Sequence, residues 1–234
     1  MGLKRVNKIY RPRIKVCGLT RVDEAVGCAE LGADAIGLVF FPKSPRHVSD
    51  KQGRAISTAV SEKSKTVGVF VNASYDHILR KADICKLSAV QLHGQESPDL
   101  VKRLGDAGLP VIKALFVDGN PNLSEVKNYD ASAFLVECSK GPLPGGNAMA
   151  WDWGTAKEFG RAHPLILAGG LSPGNVTEAI SSALPLAVDV SSGVERSPGQ
   201  KDLERVASFI NKVSNCGDSF RREQRDPFAH FTDA

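Results

Sequence analysis

At 234 residues, 42% hydrophobic and 24% charged, the chain has the balance of a globular protein that buries one sizeable core. No apolar stretch approaches the ~20 residues that cross a bilayer, and the N-terminus lacks the apolar core of a secretory signal. Membrane and export roles are therefore set aside, and a cytoplasmic location is expected. The net charge of +4 is modest, and the five cysteines (Cys17, Cys28, Cys85, Cys138, Cys216) are odd in number and scattered. That pattern argues for reduced thiols and against a disulfide framework or a metal site.

Residues 1–11 form a basic N-terminal arm, and Lys4, Arg5, Lys8, Arg11, Arg13 and Lys15 concentrate charge near the start. Such an arm can touch nucleic acid. It lacks a series of interleaved aromatics to stack on bases, so a solvated terminus with no nucleic-acid partner is expected. From residue 12 a repeating grammar sets in. The β-rich runs are RIKVC, AIGLVF, KTVGVFV, SAVQLH, PVIKALF, SAFLVEC, PLILA and LAVDVS. Between them lie amphipathic segments such as RVDEAVGCAEL, YDHILRKAD, SPDLVKRLGDAG, SPGNVTEAISSA and DLERVASFINKV. The repeat of roughly 22 to 32 residues suits a strand, a loop and a helix.

About eight such units across residues 12–213 predict an α/β fold, a single (β/α)8 TIM barrel. An open doubly wound sheet is the alternative, but CGLTRVDEA after the first strand is not a glycine-rich nucleotide fingerprint. Residues 214–234 turn polar and read as a C-terminal tail. Residues 218–234 are expected to be dispensable for folding, with one reservation: Phe228 and Phe231 of FAHF could dock onto the barrel.

Strand parity then separates two faces. In the first strand Lys15 and Cys17 oppose Ile14 and Val16. In the fourth, Gln91 and His93 oppose Val90 and Leu92. In the sixth, Leu135 and Glu137 oppose Phe134 and Val136. In the eighth, Ala187, Asp189 and Ser191 oppose Leu186, Val188 and Val190. The polar set reads as inward-facing and gathers at the C-terminal strand ends, where barrel enzymes place their sites. Closure makes the eighth strand the neighbour of the first, which predicts an ion pair between Lys15 and Asp189. Two glycine-rich turns, AGGLSPGNV and VSSGVERSPG, follow the seventh and eighth strands, the usual phosphate-binding position of this fold.

KVCGLT, GLVFFPKSPRHVS, VGVFV, VQLHG, LPGGNAMAWDW, LAGGLSPGNV, DVSSGVE and SPGQKD occur in this order. Together they resemble the phosphoribosylanthranilate isomerase family over roughly residues 12–213. The resemblance implies an Amadori rearrangement in tryptophan biosynthesis, with no metal or cofactor. The expected small-molecule partner is the phosphorylated aminosugar N-(5-phosphoribosyl)anthranilate, which becomes 1-(2-carboxyphenylamino)-1-deoxyribulose 5-phosphate. By the same resemblance Cys17 is the base, and Glu137 is the acid where the family pattern has aspartate. Arg46 contacts the anthranilate part, and His93 and Asp189 line the site. Gly169, Gly170, Ser191, Ser192 and Gly193 hold the phosphate. Asn147 and Ala148 depart from the serine or threonine and then glycine usual in the family. Monomer and homodimer both stay open. Two rivals remain. A histidine-pathway aminosugar isomerase runs the same rearrangement with a pair of aspartates, against which Cys17 argues. A non-catalytic phosphosugar-binding barrel is the other.

Overall fold

The computed structural model describes residues 11–138, 150–216, 227, 228 and 231. Eight strands close into a parallel barrel in sequence order: β1 (Arg13–Cys17), β2 (Ala35–Val39), β3 (Lys65–Phe70), β4 (Ala89–Leu92), β5 (Val111–Phe116), β6 (Ala133–Glu137), β7 (Leu165–Leu167) and β8 (Ala187–Val190). Closure is direct, with Lys15 of β1 opposite Asp189 of β8 in the register. The helices are α1 (Val22–Leu31), α2 (Asp50–Val60), α3 (Tyr75–Cys85), α4 (Pro98–Asp106), α5 (Lys157–Ala162), α6 (Val176–Ala183) and α7 (Leu203–Ser214). The expected barrel is therefore observed. None of the described helices is long and apolar enough to cross a membrane.

Local chemistry explains the helix starts. Ser74 and Ser97 cap α3 and α4 by accepting from backbone N–H groups three residues on. Asp202 caps α7 in the same manner, accepting from Glu204 and Arg205. Ser49 and Gln52 form a reciprocal capping box that starts α2. Two elements differ from what the sequence periodicity predicts. The β5–β6 crossover is a 3₁₀ turn, Leu123–Asn128, in place of a full helix. After β8 the chain folds a small antiparallel pair, β9 (Glu195–Ser197) with β10 (Gln200–Lys201).

The core has two shells, as the period-2 alternation demands. Outward strand residues such as Ile14, Val16, Ile36, Leu38, Val136 and Val188 pack with helix residues such as Cys28, Ile56, Ile180 and Phe209. Inward residues form a second cluster that includes Ala35, Val67, Ala89, Ile112, Ala133, Leu135, Ile166 and Ala187. Phe228 and Phe231 belong to this interior cluster and are 6% and 4% exposed. Their rings lie 5.0 Å apart. The docking reserved for Phe228 and Phe231 is therefore observed, and each buries a full aromatic side chain. Apart from Pro227, the rest of residues 217–234, and most of the basic arm, lie outside the described residues.

Candidate active site

Cys17 closes β1 with its side chain inward, as parity requires, and is 8% exposed. Directly before it on the same face, Lys15 is fully buried, and its Nζ lies 3.0 Å from Asp189 Oδ2. The expected ion pair is thus present. Burial opposes both charges, pulling Lys15 down and pushing the Asp189 carboxyl up. Asp189 and Cys17 more than offset burial at Lys15, whose ammonium is held above its ordinary range. The 3.0 Å Nζ–Oδ2 contact and the net rise at Lys15 are those of a charged pair. Burial also pushes the Cys17 thiol up, while the neighbouring Lys15 charge pulls it down and Asp189 pushes it up. Lys15 is thus the nearest group favouring thiolate.

Across the mouth, His93 links two inward residues. Gln91 Nε2 donates to His93 Nδ1 at 2.8 Å, so His93 Nε2 carries the hydrogen that faces Glu137 Oε1 at 3.0 Å. Phe116 packs edge-on against the imidazole, with ring centroids 5.7 Å apart. Asp189 lies within electrostatic reach of Lys15, His93 and Glu137 together. Cys17, Lys15, Asp189, His93 and Glu137 therefore form one buried constellation drawn from β1, β4, β6 and β8 and the ends of those strands. Asp189 Oδ1 and Gln91 Oε1 are buried and have no hydrogen-bond partner among the described residues.

The two glycine turns lie beside it. Gly169 has φ +85, and a Cβ there would sit 2.7 Å from Trp151 Nε1 and 3.1 Å from Glu137 Cβ. Only glycine fits so close to both walls. Trp151 and Trp153 donate their indole N–H groups to the carbonyls of Ala168 and Gly169, which pins this turn. Asn175 ties it further, donating to Gly170 O and accepting from Ser172 N–H. After β8, Ser192–Val194 forms a short 3₁₀ turn, and a Cβ on Gly193 would overlap the Leu171 carbonyl oxygen. The second turn is thereby wedged against the first, so Gly169, Gly170, Ser191, Ser192 and Gly193 come together.

Arg46 is 7% exposed and commits Nε and Nη2 to the two Glu195 oxygens at 2.9 and 2.8 Å. Several further residues around the mouth are given no role by parity or motif. Glu195 and Lys201 are buried together, with Lys201 Nζ 2.7 Å from Glu195 Oε1. Lys113, fully buried, donates to Gly94 O at 2.7 Å and to Glu96 Oε2 at 2.8 Å, holding the turn that follows His93. For Lys113 a signal exists, since parity places it opposite Ile112 and Ala114 on the outward side of β5, where an unpaired ammonium is costly. Asn147 and Ala148 lie outside the described residues.

Comparison with known proteins agrees with this geometry. A family model described as N-(5'phosphoribosyl)anthranilate (PRA) isomerase matches residues 14–212. An N-(5'-phosphoribosyl)anthranilate isomerase of Desulfatibacillum aliphaticivorans is 51% identical over 205 residues, covering 88% of this chain and 94% of that protein. The crystal structure of phosphoribosyl anthranilate isomerase from Thermotoga maritima superposes with a TM-score of 0.81 at 37% identity, covering 87% of this chain and 99% of that one. A second solved structure holds phosphoribosyl anthranilate isomerase in complex with reduced 1-(o-carboxyphenylamino)-1-deoxyribulose 5-phosphate. It matches with a TM-score of 0.78 at 37% identity, over 87% of this chain and 99% of that one. On the extent of the family match and the identity to its members, the chain belongs to the N-(5'-phosphoribosyl)anthranilate isomerase family.

Proposed function

We propose that the chain rearranges N-(5-phosphoribosyl)anthranilate to 1-(2-carboxyphenylamino)-1-deoxyribulose 5-phosphate, an aldose–ketose isomerisation of tryptophan biosynthesis, with Cys17 as base and Glu137 as acid. One observation carries the assignment of roles: a thiol and a carboxyl from opposite walls of the barrel share one buried electrostatic cluster through Lys15, Asp189 and His93. Glu137 protonates the furanose ring oxygen, and the aminosugar opens to a Schiff base. Cys17 then removes the C2 proton to give an enolamine, which tautomerises to the ketone. Geometry comes before acidity in such a transfer, and the His93 hydrogen bond at 3.0 Å holds the longer glutamate side chain in a set position.

Substrate placement follows the same reading. Asp189 Oδ1, buried and unpaired among the described residues, accepts a sugar hydroxyl, because an unsatisfied buried carboxylate oxygen gains most from a donor. The N–H groups at the start of the Ser192–Val194 turn have no acceptor within that turn, and with Gly169 and Gly170 they suit a phosphate. Arg46 faces the anthranilate carboxylate. The testing experiment is turnover of phosphoribosylanthranilate, followed by loss of its fluorescence, beside the same assay with the histidine-pathway aminosugar. Turnover of the first substrate is expected. Binding of the product without turnover would instead favour the non-catalytic barrel.

A further inference from the structure

Glu195 ends the DVSSGVE stretch, and no step of the rearrangement uses it. Its carboxylate is nonetheless heavily engaged. It receives Arg46 Nε and Nη2, Lys201 Nζ at 2.7 Å and the Gly199 N–H at 3.3 Å. Its own backbone carbonyl accepts from Arg205 Nη1 at 2.7 Å. Lys201 Nζ also donates to Ser191 O at 3.2 Å, at the base of the turn assigned to the phosphate. The Lys201 backbone N–H is fixed in turn by the buried Glu24 carboxylate at 2.9 Å. A bidentate carboxylate sets a guanidinium in one plane. The Nη1 N–H groups of Arg46 have no partner among the described residues, and the Arg46 charge and Cys17 lie within electrostatic reach of each other.

We propose that Glu195 is a positioning residue: it orients Arg46 so that the free Nη1 edge meets the aromatic carboxylate of the substrate, and through Lys201 it ties that edge to the phosphate turn. The proposal rests on the assignment of Arg46 to the anthranilate carboxylate. Burial alone would raise the Glu195 carboxyl, but the hydrogen bonds of Arg46 and the Lys201 charge hold it below the usual range, so it stays an anion between two cations. The β9–β10 pair is what delivers it, since Lys201 of β10 lies opposite Glu195 of β9. The geometry sets the distance between the two anionic ends of one substrate, a phosphate and a benzoate.

The test compares two probes, reduced 1-(2-carboxyphenylamino)-1-deoxyribulose 5-phosphate and its analogue without the carboxylate. Dissociation constants are measured on the wild type, Arg46→Met and Glu195→Gln. A charge-assisted hydrogen bond corresponds to about a tenfold to hundredfold preference for the carboxylated probe in the wild type. The expected result is loss of most of that preference in both variants. Phosphate and packing contributions cancel in the ratio, so a merely structural role would not move it. Glu195→Gln adds one net positive charge to a buried cluster and risks misfolding. The double variant Glu195→Gln with Lys201→Met restores the net charge and should lose the preference as well. A full preference retained in the Glu195 variants, with loss in Arg46→Met, would overturn the positioning role alone. A full preference retained in Arg46→Met would overturn it together with the Arg46 assignment.

Discussion

The interior of this barrel is built by opposite rules along its axis. Where the strands begin, β2, β4, β6 and β8 each open on a buried inward alanine (Ala35, Ala89, Ala133, Ala187), in the same apolar cluster as Phe228 and Phe231. Where they end, the inward positions are Cys17, His93 and Glu137, with Lys15, Gln91 and Asp189 one step below. The first region gains stability from every side chain it buries. The second takes ionisable groups out of water and recovers the cost only through paired contacts. One end therefore holds the fold, and the other gives up stability for reactivity. That division can be tested at each end.

The largest effect is expected at the thiol. A serine hydroxyl is far less acidic than a thiol, so Cys17→Ser should lower kcat by about 10³- to 10⁴-fold and leave product affinity nearly intact. Ordinary turnover by the variant would remove Cys17 from the chemistry. Next comes the ion pair beneath it. Asp189→Asn leaves the buried Lys15 ammonium without its 3.0 Å partner, and breaking such a pair costs about 3–5 kcal/mol. Thermal denaturation should show the loss, and activity should fall with it. Lys15→Met removes the charge that pulls the Cys17 thiol down. The alkaline rise of kcat/KM, which tracks thiolate, should then move to higher pH. A profile unchanged in Lys15→Met would show that Lys15 does not tune the base.

The apolar interior cluster that holds Phe228 and Phe231 should respond in stability first. Replacing Phe228 and Phe231 with alanine removes two buried rings, at about 1.5–3 kcal/mol each before the entropy of ordering the tail is deducted. A net loss of about 3 kcal/mol lowers Tm by about 6–12 °C in a chain of this size. Unchanged kcat with a lowered Tm is the expected signature. A drop in kcat with unchanged Tm would dissolve the division between the two ends.

Much of this division is legible in the amino-acid sequence. The barrel follows from the repeat, and the inward set follows from period-2 alternation, because a strand has only two faces. Lys15 and Asp189 can be paired from parity and closure alone. α2 escapes a reading by periodicity although Ser49 and Gln52 carry the capping-box signal, since Gly53 and its polar residues obscure the apolar stripe. Glu195 and Lys201 are out of reach for a different reason. Their meeting with Arg46 depends on a short hairpin and a loop after β2, and neither has a period that fixes side-chain direction. The proposed acid position is readable as a departure, Glu137 for aspartate, but not its support by His93 and Gln91. That support makes a smaller prediction. Glu137→Asp shortens the side chain by one methylene and withdraws Oε1 from His93. A displacement near 1 Å costs about a hundredfold, and kcat should fall accordingly. An aspartate variant as fast as wild type would mean that the surrounding loop, not the His93 contact, sets the acid.

The smallest effect isolates a buried titratable group that belongs to neither end. Cys28 sits in α1 within the outer shell, fully buried, and burial pushes its thiol up to about 12. In the unfolded chain a cysteine ionises near ~8.5. A folded-state value raised above the unfolded one gives stability that is fully present below the unfolded value. It is lost as pH rises from there toward the folded value, because only the unfolded chain releases the proton. The loss is about 1.4 kcal/mol per pH unit for one thiol, or about 3–6 °C of Tm between roughly pH 9 and 10. Cys17, also raised by burial, contributes in the same direction and persists in both proteins. Cys28→Ala should therefore lower stability by a constant amount below about pH 8 and then give a shallower alkaline decline than wild type. Parallel Tm curves from about pH 7 to 10 would show that Cys28 ionises as readily in the fold as out of it, and that the outer shell is wetter than its packing indicates.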